Sequence, residues 1–172
     1  AALHCGRKPE EITLCAVTKT VDALKAQEVL NAGVGVLGEN RVQALLEKYE
    51  VLKDRPEWHL IGHLQTNKIK YIIPFVTLIH SIDSANLLEA VNKEAAKHCR
   101  VVDCLLQFHI AQEETKFGLD MTEARQLLDS DAFKQMQNVR ICGVMGMATF
   151  TDDEAEVRKE FKHLKEIFET LK

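Results

Sequence analysis

Val34-Gly35-Val36-Leu37-Gly38-Glu39-Asn40-Arg41-Val42-Gln43-Ala44-Leu45-Leu46-Glu47-Lys48-Tyr49-Glu50-Val51-Leu52 is one unit of the pattern that builds the whole chain. A short apolar run, 34–37, meets a glycine and polar residues. Val42, Leu45, Leu46, Tyr49 and Leu52 then share one helical face, which stops before Pro56, a residue that cannot continue a helix. Strand, polar turn and amphipathic helix follow one another with no linker between them.

The same alternation extends in both directions. Apolar runs rich in β-branched residues predict strands at 12–17, 34–37, 58–61, 75–82, 101–110 and 139–147. They are continuous rather than alternating, as strands covered on both faces are. Leu87, Leu88, Val91 and Ala95 form a second helical face behind Ser84, a predicted N-cap. Thr151-Asp152-Asp153-Glu154 matches a capping box, and Val157, Phe161, Leu164, Phe168 and Leu171 recur behind it at helical spacing. The charged residues of that last helix read as a solvated outer face. Parallel strands with right-handed crossovers leave two α/β architectures open: a doubly wound open sheet or a barrel. A (β/α)₈ barrel takes about 250 residues. Six units in 172 residues run at that rate, with two units wanting.

Composition narrows the function classes. The chain is 46% hydrophobic and 28% charged with a net charge of −4, ordinary for a globular domain. Basic residues do not cluster with aromatics, which argues against nucleic acid. No apolar run reaches the roughly 18 residues of a membrane span, and the opening residues lack the apolar core of a signal peptide. Five cysteines with no C-x-x-C pair point to a reducing, cytoplasmic location.

Residues able to do chemistry gather where strands end. Lys19 directly follows the first apolar run. In a barrel that is the catalytic mouth, and partial desolvation there would lower a lysine's pKa and free its amine for a Schiff base. The residues alone equally allow a lysine that exits to solvent. Asn40, after Gly38-Glu39, can cap the next helix or aim its amide at a ligand. The stretch 58–68 packs His59, His63, Gln65, Asn67 and Lys68 around one strand end. His59 and His63 sit on a strand and its loop, so their four-residue spacing does not make a metal pair, and no metal is expected. His59 reads either as a hydrogen-bonded core histidine or as a ligand contact. Glu113 to Gly118 would form a polar mouth loop that turns at Gly118. Gly143 and Gly146 weaken the sixth strand unless something approaches its backbone, and Met145 and Met147 can flank a flat ring.

Taken in order, these segments resemble the pyridoxal 5′-phosphate (PLP) homeostasis protein family. That family shows V-S-K-T, G-E-N, W-H-x-I-G-x-L-Q-x-N-K, H-[ST]-I-D, E-x-x-K-x-G and G-[LV]-M-x-[MI]. Here they read Val17-Thr18-Lys19-Thr20, Gly38-Glu39-Asn40, 58–68, His80-Ser81-Ile82-Asp83, 113–118 and 143–147. The resemblance implies a TIM-like (β/α)₈ barrel of the alanine racemase N-terminal type, here with its first six βα units. It implies PLP on Lys19 as a Schiff base, with Asn40, His59 and Met145 near the ring. It also implies a monomer that buffers or delivers PLP, with PLP-dependent apo-enzymes as partners and no established turnover. Lys116 would then be an exchange amine.

Three departures qualify the match. Val21 stands where the family often has another lysine, and His109 stands where its fifth strand usually ends in asparagine. The closing S-x-G-M-S-x-D and V-R-I-G segments, which hold the phosphate and carry an arginine, do not occur. The chain is therefore expected to be a shortened single PLP-binding domain, residues 1–172, lacking its C-terminal βα units. The rival readings are a racemase-like PLP enzyme, a Schiff-base sugar-phosphate aldolase and a ligand-free interaction domain.

Overall fold

The computed structural model describes residues 2–111 and 117–172. The first three units are β1 (Cys15–Val17), α1 (Ala23–Asn31), β2 (Val36–Glu39), α2 (Val42–Leu52), β3 (Glu57–Leu60) and the short α3 (Ile69–Ile72). The remainder are β4 (Leu78–Ile82), α4 (Ala85–Lys97), β5 (Val102–Phe108), α5 (Met121–Asp129), α6 (Asp131–Lys134), β6 (Val139–Gly146) and α7 (Glu154–Leu171).

All six strands pair in parallel, in the order β1-β2-β3-β4-β5-β6. A doubly wound sheet reverses its strand order at a switch point. The sequential order therefore selects the barrel. Among the described residues β1 and β6 do not pair with each other, so the sheet is an arc of a barrel rather than a closed one.

Side-chain alternation divides the arc into two faces. Leu37, Trp58, Leu60, Ile79, Cys104 and Leu106 are all at most 1% exposed and pack with the helices. Leu45 of α2, Ile72 of α3 and Leu88 and Val91 of α4 complete this outer core. Trp58 keeps its indole N–H satisfied by donating to the Lys53 carbonyl at 2.8 Å. Tyr49 meets the Trp58 ring edge-on and stacks on Phe75 with centroids 3.7 Å apart.

The expected boundaries shift for local reasons. β1 begins at Cys15 rather than at residue 12, and Leu14 before it is 68% exposed and unpaired in the sheet. β4 begins at Leu78 because 73–76 close the turn of α3, with Phe75 N donating to the Ile72 carbonyl. Ser84 caps α4 as expected, accepting from Leu87 N. The cap of α7 is Asp153, which accepts from Ala155 N and Glu156 N, while Thr151 accepts only from Asp153 N. The buried stripe of α7 follows the expected one in part: Val157, Leu164 and Leu171 are partly buried, the last two packed on the core. Glu160 and Ile167 are buried, whereas Phe161 and Phe168 are exposed. Glu160 thus leaves the solvated face to which its charge assigned it, and its carboxylate accepts from Thr149 N and Oγ1, both at 2.7 Å. No helix among the described residues is long and apolar enough to cross a membrane.

Candidate functional site

The carboxyl ends of the strands form the rim where a barrel carries its chemistry. Lys19 lies in the turn directly after β1 and is exposed. The burial on which its sequence-based activation rested is absent. Its side chain makes no ion pair or hydrogen bond with another described residue.

Behind this turn lies a group the sequence reading missed. Thr18, 2% exposed, donates its hydroxyl to Glu39 Oε1 at 2.6 Å. Lys48, reaching in from α2, donates to the same oxygen at 2.5 Å and to the Thr18 carbonyl at 2.9 Å. Glu39 is 0% and Lys48 5% exposed. Sequence carried one signal of this: Lys48 shares a helical face with Leu45, Tyr49 and Leu52, an apolar stripe where a lysine needs a partner.

Asn40 follows β2 and does not cap α2. The N-cap residue is Arg41, which makes no side-chain capping bond. Asn40 is fixed through its backbone instead, by Gly62. A Cβ on Gly62 would come within 2.7 Å of the Asn40 Cα and closer still to its carbonyl oxygen. The Gly62 carbonyl accepts from Ser81 Oγ at 2.7 Å, tying this contact to β4. Gly62→Ala is expected to destabilise the fold by about 1–3 kcal/mol, since backbone atoms cannot yield as a side chain can. Chemical unfolding checks this; an unchanged midpoint would mean the loop has room to move.

His59 sits on the inner face of the arc, 7% exposed, with its Nδ1 3.1 Å from Nε2 of His80. One imidazole of the pair donates and the other accepts. Burial lowers the pKa of both. For His80 the neighbouring ring adds to the effect, taking it to about 4. Both rings are therefore neutral at pH 7. His80 was in a quoted motif but had no assigned role, because only the β3–β4 register brings it to His59. Met145, on β6 opposite Gln107, is partly buried on the same inner face.

The other expected residues separate. His63 stands off the strand, 3.2 Å from Asp83 and stacked on Phe117. Among the described residues no group of three or more His, Cys, Asp or Glu could hold a metal ion. A Cβ on Gly146 would meet the Ile110 side chain at 2.7 Å and Leu164 of α7 at 3.2 Å, so side-chain packing, mainly by Ile110, accounts for the glycine. Gly118 has φ +152° and lies against the Phe108–His109 backbone, while 112–116 of the expected mouth loop lie outside the described residues. Lys116 lies outside the described residues. A cavity of about 530 Å³ opens beside Asn40, between the starts of α2 and α3, with Arg41, Gln43, His63 and Lys68 in its wall. Lys19, His59 and Met145 do not line it.

The sequentially ordered parallel arc is of the alanine racemase N-terminal type. The alanine racemase N-terminal domain family matches residues 5–172. An alanine racemase from Enterococcus faecalis superposes with a TM-score of 0.71 at 13% identity, over 96% of this chain and 46% of that one, which shows the shared fold. Nearer relatives are more specific. The pyridoxal phosphate homeostasis protein of Aquifex aeolicus is 38% identical across 99% of this chain and 75% of its own length. That of Escherichia coli K12 is 32% identical across 94% of this chain and 69% of its own length. PipY of Synechococcus elongatus, solved with PLP bound, superposes with a TM-score of 0.85 at 31% identity, over 99% of this chain and 79% of that one. The chain belongs to the pyridoxal phosphate homeostasis protein family.

Proposed function

We propose that this chain binds PLP through Lys19 as a Schiff base and serves as a cytoplasmic, monomeric store or donor of the cofactor. The observation that carries the reading is the exposed Lys19 at the rim of an arc whose inner face holds the neutral His59–His80 pair. The kinship with PipY, solved with PLP bound, supports the choice of ligand.

The residues present fit the aldehyde and ring end of PLP. An exposed primary amine suits a carbonyl, and uncharged imidazoles can hydrogen-bond the ring without fixing a formal charge beside it. Met145 offers a polarisable apolar surface for a flat ring, and Asn40 supplies an amide near the rim. When bound, PLP supplies an aldehyde that condenses with an amine, losing its oxygen as water, and that a second amine can take over. Lys19 supplies the first amine. Lys116 is a candidate for the second. PLP-dependent apo-enzymes, whose own lysines are amines, are the fitting recipients.

The racemase-like alternative needs a positioned acid and base at the same rim. Both tyrosines of the chain lie on helices instead. Tyr49 stacks on Phe75 and bonds Asp54, and Tyr71 lies on α3. This placement favours a carrier. Barrel phosphate sites lie in the loops after strands seven and eight, and the described sheet has six strands, so the reading rests on the aldehyde and ring end of PLP.

Titration with PLP tests the reading. A saturable visible band is expected, discharged by excess free amine, with no turnover of amino acids at enzyme-like rates, typically 1–10³ s⁻¹. A version lengthened by two βα units is expected to bind more tightly. Steady racemisation or transamination would instead establish the enzyme, and no band in either version would overturn PLP binding.

A further inference from the structure

We infer that Glu39 and Lys48 are positioning residues, a buried ion pair that sets the Lys19 turn and the start of the Asn40 loop together. The inference rests on the reading of Lys19 as the amine that holds PLP.

The pair is placed at a junction. Thr18 is one peptide bond from Lys19, and Glu39 is one peptide bond from Asn40. The Lys48 ammonium binds the Thr18 carbonyl and the Glu39 carboxylate at once, at 2.9 and 2.5 Å. Backbone bonds extend the tie: Thr18 N donates to the Gly38 carbonyl at 3.0 Å, and Ile61 N donates to the Glu39 carbonyl at 2.9 Å. Three neighbouring strand ends are thereby held in one register around a single charged centre.

Stability alone does not account for this choice. A buried ion pair is often no more stable than an apolar pair of the same shape, because both charges must leave water. This one is also incompletely satisfied. Glu39 Oε2 is fully buried with no hydrogen-bond partner, and an unpaired buried polar atom is costly. What the pair provides and an apolar contact cannot is a directional grip on the Thr18 carbonyl. That carbonyl belongs to the same peptide unit as the Lys19 N–H. Lys19 is exposed and long, and its first atoms are the only part of it the fold can aim. A loosely held turn would spread the amine over many positions, and a bond-forming geometry tolerates little of that.

The test replaces the pair by neutral residues of similar size, Glu39→Gln with Lys48→Met. Three quantities are read: the unfolding midpoint, amide hydrogen exchange at residues 18–20 in the PLP-free protein, and the PLP concentration that half-saturates the visible band. The variant is expected to remain folded, with exchange at 18–20 at least about tenfold faster and half-saturation raised by about tenfold, near 1.4 kcal/mol. A purely structural pair would lower the midpoint and leave exchange at 18–20 and half-saturation as in the parent, which overturns the inference. Should that variant fail to fold, Thr18→Val removes only the hydroxyl bond to Glu39. It is expected to raise half-saturation severalfold, and no change in exchange or half-saturation overturns the inference equally. If the parent chain forms no band at all, the reading of Lys19 falls. Exchange at 18–20 in the PLP-free variant still decides whether the pair holds the turn.

Discussion

Lys19→Ala is expected to abolish the visible PLP band and the borohydride-stable adduct while leaving the fold intact. The reasoning separates binding from stability. Lys19 is exposed in a turn and its side chain bonds to no other described residue, so its removal falls among surface substitutions, within about 0.5 kcal/mol. Its amine is the covalent partner in the proposed site. Losing it leaves PLP only the contacts of Asn40, His59 and Met145, and apparent affinity is expected to fall on the order of a hundredfold, about 2.7 kcal/mol. Spectral titration and thermal unfolding on the same sample check both halves. A variant that unfolds, or that keeps the band, contradicts the placement.

The second large effect is a loss of stability between pH 6.5 and 4, centred on the His59–His80 pair. Burial, reinforced by His59, takes His80 from 6.5 to about 4 in the folded state. Between those values the unfolded chain binds more protons than the folded one, so stability rises with pH across the window and is lost as pH falls through it. The full shift corresponds to about 3 kcal/mol. Partial exposure of the ring reduces the expected loss to about 2 kcal/mol. His59, also lowered by burial and partly restored by Glu57, acts in the same direction. Asp103, held low by its two bonds to Arg140, loses its contribution only below 3.8 and so stays outside the window. Denaturant unfolding at pH 7 and 4.5 should show the loss in the parent and a clearly smaller one in His80→Gln. An equal loss in both would place the acid sensitivity elsewhere.

What the sequence disclosed follows from what is local. Apolar runs and capping residues act over a few positions, so all six strands, the Ser84 cap and the run of α2 were legible. Periodicity alone left barrel and doubly wound sheet open, because strand order is a property of pairing; the motif resemblance implied the barrel, and the sequential strand order bears it out. The boundaries that moved did so where a local rule met packing: Leu14 is apolar yet unpaired, and Asp153 outcompeted Thr151 for the helix end. The site was legible as a set of strand ends and not as contacts. His80 reaches His59 only through the β3–β4 register, and Glu39 meets Lys48 only because β2 turns its outer face to α2. Charge patterning sent Glu160 to solvent and assigned Lys48 no role; both are buried against acceptors or donors that sequence spacing does not reveal.

The most direct measurement is peptide mapping of the parent protein after PLP loading and borohydride reduction. A single pyridoxyl adduct on Lys19 is the expected result. An adduct on Lys116 or another lysine with Lys19 unmodified, or no adduct at saturating PLP, would contradict the assignment of the site.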